Sequence, residues 1–144
     1  MTTSIEEIYE FVALEVGIEK CNIEPHSDLE IELGIAGDDF SDLMSFFAEK
    51  FNVKMDAYLW YFHHAEEGLF NLGGLIFKPP NQRVLRIPVT PALLEKAANL
   101  GYWPVEYPQH NLPNHRYDLL LNKVFILFFV LVSGIAWLWN KRSA

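Results

Sequence analysis

Cysteine is almost absent from this chain. Cys21 is the only one in 144 residues, which excludes an intramolecular disulfide and a thiolate metal cluster. A lone thiol in an acidic loop reads as inert rather than nucleophilic, and it suits a reducing compartment. Basic residues are scarce in the front part: positions 1–56 hold fourteen acids against three bases, a net of −11. Positions 57–144 hold five acids against eight bases, a net of +3. An acidic head repels phosphate backbones, so nucleic acid is not an expected partner. It favours a protein with a basic patch, although a simply solvated surface accounts for the same charge. A secretory signal is missing too, since Met1-Thr2-Thr3-Ser4 leads straight into Glu6-Glu7 with no basic start or apolar run. Catalytic constellations are equally scarce. There is no Gly-rich phosphate loop, no zinc-ligand spacing and no carboxylate pair in an apolar setting. His26 near Asp28 has no serine or cysteine in an activating arrangement. The expectation is a protein that is not an enzyme, with no bound metal and no cofactor.

What the chain does have is one long apolar run, LLLNKVFILFFVLVSGIAWLW, over 119–139. As a helix it extends about 31 Å, close to the roughly 30 Å hydrocarbon core of a bilayer. Between Val124 and Val132 no polar residue interrupts it, so no face is left for water. Asn122-Lys123 lies one turn inside, at a depth from which a lysine reaches back to the headgroups. Tyr117 at one edge and Trp137 and Trp139 at the other match interfacial aromatics. The charge count across the span is tied, Arg116 and Lys123 against Lys141 and Arg142. The order of synthesis then favours a tail-anchored protein with a cytoplasmic head, a short outer tail at 140–144, and a bacterial inner-membrane location. A Ser133-Gly134-x-Ala136 cluster permits close helix packing, which is weak grounds for a dimer.

The remaining sequence predicts short helices. Ser4 and Glu7 form a capping box, and Ile5, Ile8, Tyr9, Val12 and Val16 make an apolar face that Gly17 terminates. A loop to Gly34 contains Pro25 and buries Ile18, Ile23 and Leu29. Gly34 and Gly37 bracket a turn before a second helix, whose inner face is Phe40, Leu43, Met44, Phe47 and Phe51 and whose outer face holds Asp42, Ser45 and Glu49. The aromatic stretch with Tyr58, Trp60, Tyr61 and Phe62 reads as a short helix or turn packed on the bundle, with an exposed partner patch as the alternative. His63-His64 with Glu66-Glu67 invites a metal reading, but adjacent helical residues diverge and no second ligand cluster exists, so a structural role is expected. Leu75-Ile76-Phe77 and Val84-Leu85-Arg86-Ile87 around Pro79-Pro80-Asn81-Gln82 predict a small β-hairpin at 75–87. Thr90-Pro91 opens a further helix with Leu93, Leu94, Ala97 and Leu100 buried, closed by Gly101. Residues 104–118, proline-rich and aperiodic from Pro104 to Asn114, read as a linker.

The order Gly17-Ile18, Ile23-Glu24-Pro25, Asp28-Leu29, Leu33-Gly34, Asp38-Asp39-Phe40 and an acidic amphipathic helix resembles an acyl carrier protein over about the first hundred residues. Within that resemblance Leu33-Gly34-Ile35-x-Gly37-Asp38-Asp39, Phe51-Asn52-Val53 and Gly101-x-Trp103 are similar to a small uncharacterised enterobacterial family with a degenerate carrier-like domain. If Asp38-Asp39-Phe40 is laid on the Asp-Ser-Leu of carriers, Asp39 takes the place of the serine that receives phosphopantetheine. A hydroxyl there forms a stable phosphodiester, whereas a carboxylate would form a labile acyl phosphate. Ser41 is the one residue that offers a hydroxyl instead, and it departs from the Asp-Ser-Leu order.

The expected fold is therefore mainly α: a carrier-like helical bundle over 1–103 with a small hairpin insertion, followed by the linker and one C-terminal transmembrane helix. The leading functional expectation is a membrane-tethered adaptor that docks a basic protein through Asp38, Asp39, Asp42 and Glu49. The alternatives are a true phosphopantetheine carrier using Ser41 and a toxin-immunity or defence protein.

Overall fold

A computed structural model describes residues 2–66 and 71–143. Among these residues the α-helices are α1 (Ile5–Val16), α2 (Gly37–Lys50), α3 (Pro91–Leu100) and α4 (Tyr117–Ser143). Single 3₁₀ turns lie at Lys20–Asn22, Trp60–Phe62, Gly73–Leu75 and Pro80–Gln82. The chain divides into two compact units, Met1–Glu67 with Val84–His110, and Gly68–Arg83 with Asn111–Ala144.

In the first unit the helix ends obey local chemistry. Ser4 accepts from the Glu7 N–H while Glu7 accepts from the Ser4 N–H at 2.7 Å, so α1 starts with a full capping box. Gly17 closes it at φ 74°, a left-handed conformation that costs glycine little. Thr90 caps α3 through the Leu93 N–H at 3.2 Å, with Pro91 at the first helical position. No side chain caps α2; Asp38 and Asp39 instead place carboxylates against its positive end.

The core draws Ile8, Phe11 and Val12 from α1, Phe40, Leu43, Met44 and Phe47 from α2, and Leu94 and Ala97 from α3. The loop between α1 and α2 contributes Ile23, Leu29 and Ile35. Phe11, absent from the expected α1 face, is fully buried, with its ring 6.1 Å from Phe47 and 5.5 Å from Phe51. A buried Phe of this kind contributes roughly 2–3 kcal/mol of transfer free energy. Leu100, expected inside, is exposed at the end of α3, and Ile18 is only half-buried. Backbone bonds close the long loop onto the rest: Leu29 N–H to Val89 O at 3.0 Å and Ala92 N–H to Pro25 O at 2.9 Å.

The hairpin expected at 75–87 does not form, and no strand occurs among the described residues; only an isolated parallel bridge joins Lys54 and Tyr102. The N–H groups of Leu75, Ile76 and Phe77 are used inside the Gly73–Leu75 turn and its exit. Of the supposed second strand, Ile87 bonds instead to Phe62 O at 2.6 Å.

In the second unit, α4 is long and apolar enough to cross a membrane over Tyr117–Arg142, and its apolar window is unburied. It begins two residues before the apolar run expected at 119–139. Its 27 residues extend about 40 Å, more than the hydrocarbon core alone requires.

Candidate partner-binding face

Every residue on α2 advances the helix by about 100°, so Asp38, Asp42, Ser45 and Glu49 fall on one stripe opposite Phe40, Met44 and Phe47. All four stripe residues are exposed, as is Asp39, which is turned towards α1. Between α1 and α2 a groove of about 280 Å³ is lined by Glu15, Val16, Asp39, Asp42, Leu43 and Phe46. A second, of about 370 Å³, is lined by Phe11, Glu15, Phe46, Glu49 and Lys50. Phe46 and Glu15 belong to both. The Phe46 ring is 48 % exposed, an apolar side chain set among carboxylates. None of Asp38, Asp39, Asp42 and Glu49 takes part in an ion pair among the described residues. The nearby cation, Lys50, lies over the Phe11 ring at 5.1 Å and the Phe51 ring at 5.7 Å.

The structure thus brings the four expected partner-binding acids onto one helix and adds Glu15 and Phe46 to them. Ser41 lies a full turn inside α2, exposed, with its hydroxyl donating to Gly37 O at 3.3 Å. Asp39 is exposed in the first turn of α2. Chemically the face offers carboxylates and one ring: it can attract cations and pack against an apolar side chain.

A family model described as a protein of unknown function, DUF1493, matches residues 1–105. The chain belongs to the DUF1493 family. No curated protein and no solved structure matches it. The match covers α1, α2 and α3 and stops before α4.

The first unit also holds a polar cluster around a buried histidine. His63 is fully buried, its Nδ1 2.8 Å from Ile87 O and its Nε2 2.7 Å from the Tyr107 hydroxyl. That hydroxyl already accepts from Trp103 Nε1 at 2.8 Å and from the Leu59 N–H at 3.1 Å. Its own proton therefore goes to His63 Nε2, which assigns the His63 proton to Nδ1 and leaves the ring neutral. Burial pulls the His63 pKa down to about 4, and the neighbouring His64 and Arg86 act in the same direction. Tyr58 stacks on His63 at 5.1 Å, and burial pushes its phenol up. His64 stacks on Phe40 at 4.7 Å with its Nδ1 beside Ala65 O. Among the described residues no group of three His, Cys, Asp or Glu side chains is placed to hold a metal. Glu67 of the His63-His64-Glu66-Glu67 motif lies outside the described residues.

Arg86 joins this cluster to the loop before α2. Its guanidinium pairs with both Asp28 oxygens and lies 3.2 Å from Glu30. Burial raises the Asp28 carboxyl, but the Arg86 pair and the N–H groups of Ile31 and Glu30 outweigh it and hold it below the usual carboxylate range. Tyr107 and Arg86 both escaped sequence reasoning, because partners 58 or 44 positions away leave no periodic trace. Phe46 did leave one: a large apolar residue on the polar side of an otherwise regular amphipathic helix.

Proposed function

We propose that this DUF1493 chain is a non-catalytic adaptor, tethered to a membrane by α4, that docks a basic protein through α2. The observation that carries the reading is the exposed set Asp38, Asp39, Asp42 and Glu49, in no ion pair among the described residues, around the exposed Phe46. Rim carboxylates steer a basic partner, and the ring supplies the apolar contact that charge alone lacks. The order of α1, the long loop, α2 and α3 supports descent from an acyl-carrier-like bundle. Asp39 at the serine position then explains why docking outlives the prosthetic arm. The tether raises the local concentration of the adaptor for membrane enzymes of the inner leaflet, with the head on the cytoplasmic side and the chain tail-anchored.

The test is crosslinking and capture from native membranes with the full chain beside an Asp39→Ala, Asp42→Lys, Glu49→Lys variant. A partner held by the parent chain, lost in the variant and weakened by added salt is the expected outcome. Equal capture by both chains sinks the proposal. Mass spectrometry after expression with a broad phosphopantetheinyl transferase tests Ser41 separately; the expected mass is that of the unmodified chain.

A further inference from the structure

Residues 71–77, which include the first strand of the hairpin expected at 75–87, instead pack on the foot of α4. Asn71 Nδ2 donates to Asp118 Oδ2 at 3.1 Å, and Asn122 Nδ2 donates to Asn71 Oδ1 at 2.8 Å. The Gly73 N–H donates to Asn122 Oδ1 at 2.7 Å. Gly73 is buried against the helix so closely that a Cβ would come within 2.0 Å of the Asp118 carbonyl oxygen. The Phe77 ring lies 5.8 Å from Tyr117. These contacts set the turn beside residues 117–122, the level at which the apolar run of α4 begins.

Two features of this turn are unusual for a surface in water. Leu72, Leu75, Ile76 and Phe77 are exposed, Leu75 at 84 % and Ile76 at 64 %, on a turn packed beside residues 117–122 of α4, where Leu119 and Leu120 are exposed too. An exposed apolar patch of this kind marks an interaction surface. The second feature is its backbone. The N–H groups of Gly73, Gly74, Leu75, Ile76 and Phe77 all have acceptors: Asn122 Oδ1, Asn71 O, Leu72 O and, for the last two, Gly73 O. Five consecutive satisfied N–H donors need no water, which meets the donor half of what a backbone must satisfy to enter lipid. Charge completes the picture, since 71–83 contains no acid while Lys78 and Arg83 are exposed.

We propose that residues 71–83 form an interfacial foot that lies in the headgroup and upper acyl region of the bilayer beside α4. Leu72, Leu75, Ile76 and Phe77 enter the lipid, and Lys78 and Arg83 meet anionic headgroups. The occupant is the bilayer, because the patch lies beside the start of the apolar run of α4. This also gives Asn122 a role. Its side chain, a blemish in the apolar run, spends its amide on the foot. The inference rests on reading α4 as a membrane span.

The experiment separates the two readings. In a Cys21→Ser background, the full chain is labelled with an environment-sensitive fluorophore at Leu75→Cys, Ile76→Cys or Val130→Cys. Each is reconstituted into vesicles of equal parts phosphatidylcholine and phosphatidylglycerol. Nitroxide lipids quench from near the headgroup or from deep in the chain, and iodide quenches from water. The expected result is loss of emission at 75 and 76 with the shallow nitroxide, loss at 130 with the deep one, and protection of all three from iodide. Lipid quenching at 130 with iodide quenching at 75 and 76 overturns the foot and leaves the span intact. Protection of 75 and 76 from iodide without lipid quenching points to a protein cover and also overturns it. No lipid quenching at 130 overturns the span itself.

Discussion

His63 shows how one buried side chain ties stability to pH. Its folded pKa of about 4 lies below an unfolded value near 6.5. Between those limits the unfolded chain binds the extra proton, so stability rises with pH across the window and is lost as pH falls through it. The shift corresponds to roughly 3 kcal/mol, present in full above the unfolded pKa and gone below about pH 4. Thermal unfolding of the full chain in detergent from pH 7 to pH 4 should show this loss, and His63→Gln should flatten the slope. An unchanged slope would place the titration elsewhere. Asp28, held below the usual carboxylate range, adds a separate loss at still lower pH. Tyr107→Phe removes the hydroxyl that serves His63, Trp103 and Leu59 at once. Leaving these groups unpaired in the interior should cost about 2–4 kcal/mol, read as a lowered melting temperature.

At the scale of elements, α2 separates a buried face from the face proposed to dock a partner. Its inner face is buried, while Asp42 and Glu49 are exposed and in no ion pair among the described residues. Asp42→Lys with Glu49→Lys should therefore change stability by no more than about 0.5 kcal/mol, while abolishing capture of a basic partner. A large loss of melting temperature would mean that these acids serve the fold. The 71–83 turn behaves in the opposite way, because its hydrogen bonds to α4 require the close approach of Gly73 to Asp118. Gly73→Ala puts a methyl group into the Asp118 carbonyl, so the turn must leave α4. Hydrogen exchange at the amides of residues 73–77 should then accelerate, while exchange in α1–α3 stays unchanged. Protection retained at 73–77 would show that the turn is held by something other than the helix.

For the whole molecule, the decisive property is the partition of charge: acids crowd the front of the chain, and an apolar helix with basic flanks ends it. A paired Phe128→Lys, Val130→Lys substitution puts two cations at the middle of the span, each costing roughly 3 kcal/mol or more. Alkaline carbonate should leave the parent chain in the membrane pellet and release the variant. Release of both chains would mean that α4 does not span.

Local chemistry made much of this protein legible from its residues. The Ser4–Glu7 box, the Gly17 and Gly101 caps, Thr90-Pro91, the inner face of α2 and the apolar α4 all arise from neighbours three or four positions apart. Their energies are written into short windows of sequence, so the sequence by itself determined a mainly helical chain with one apolar C-terminal helix. Where the chain closes on itself, reading failed for a physical reason. Residues 75–87 have strand-like composition, yet the N–H groups of Leu75, Ile76 and Phe77 bond to Leu72 O and Gly73 O, and that of Ile87 bonds to Phe62 O. The same holds for Arg86 with Asp28, for Tyr107 with His63, and for Glu15 beside Phe46. Only the tertiary structure decided these pairs, because their partners meet through the fold, and no periodicity records which distant group will satisfy a buried donor.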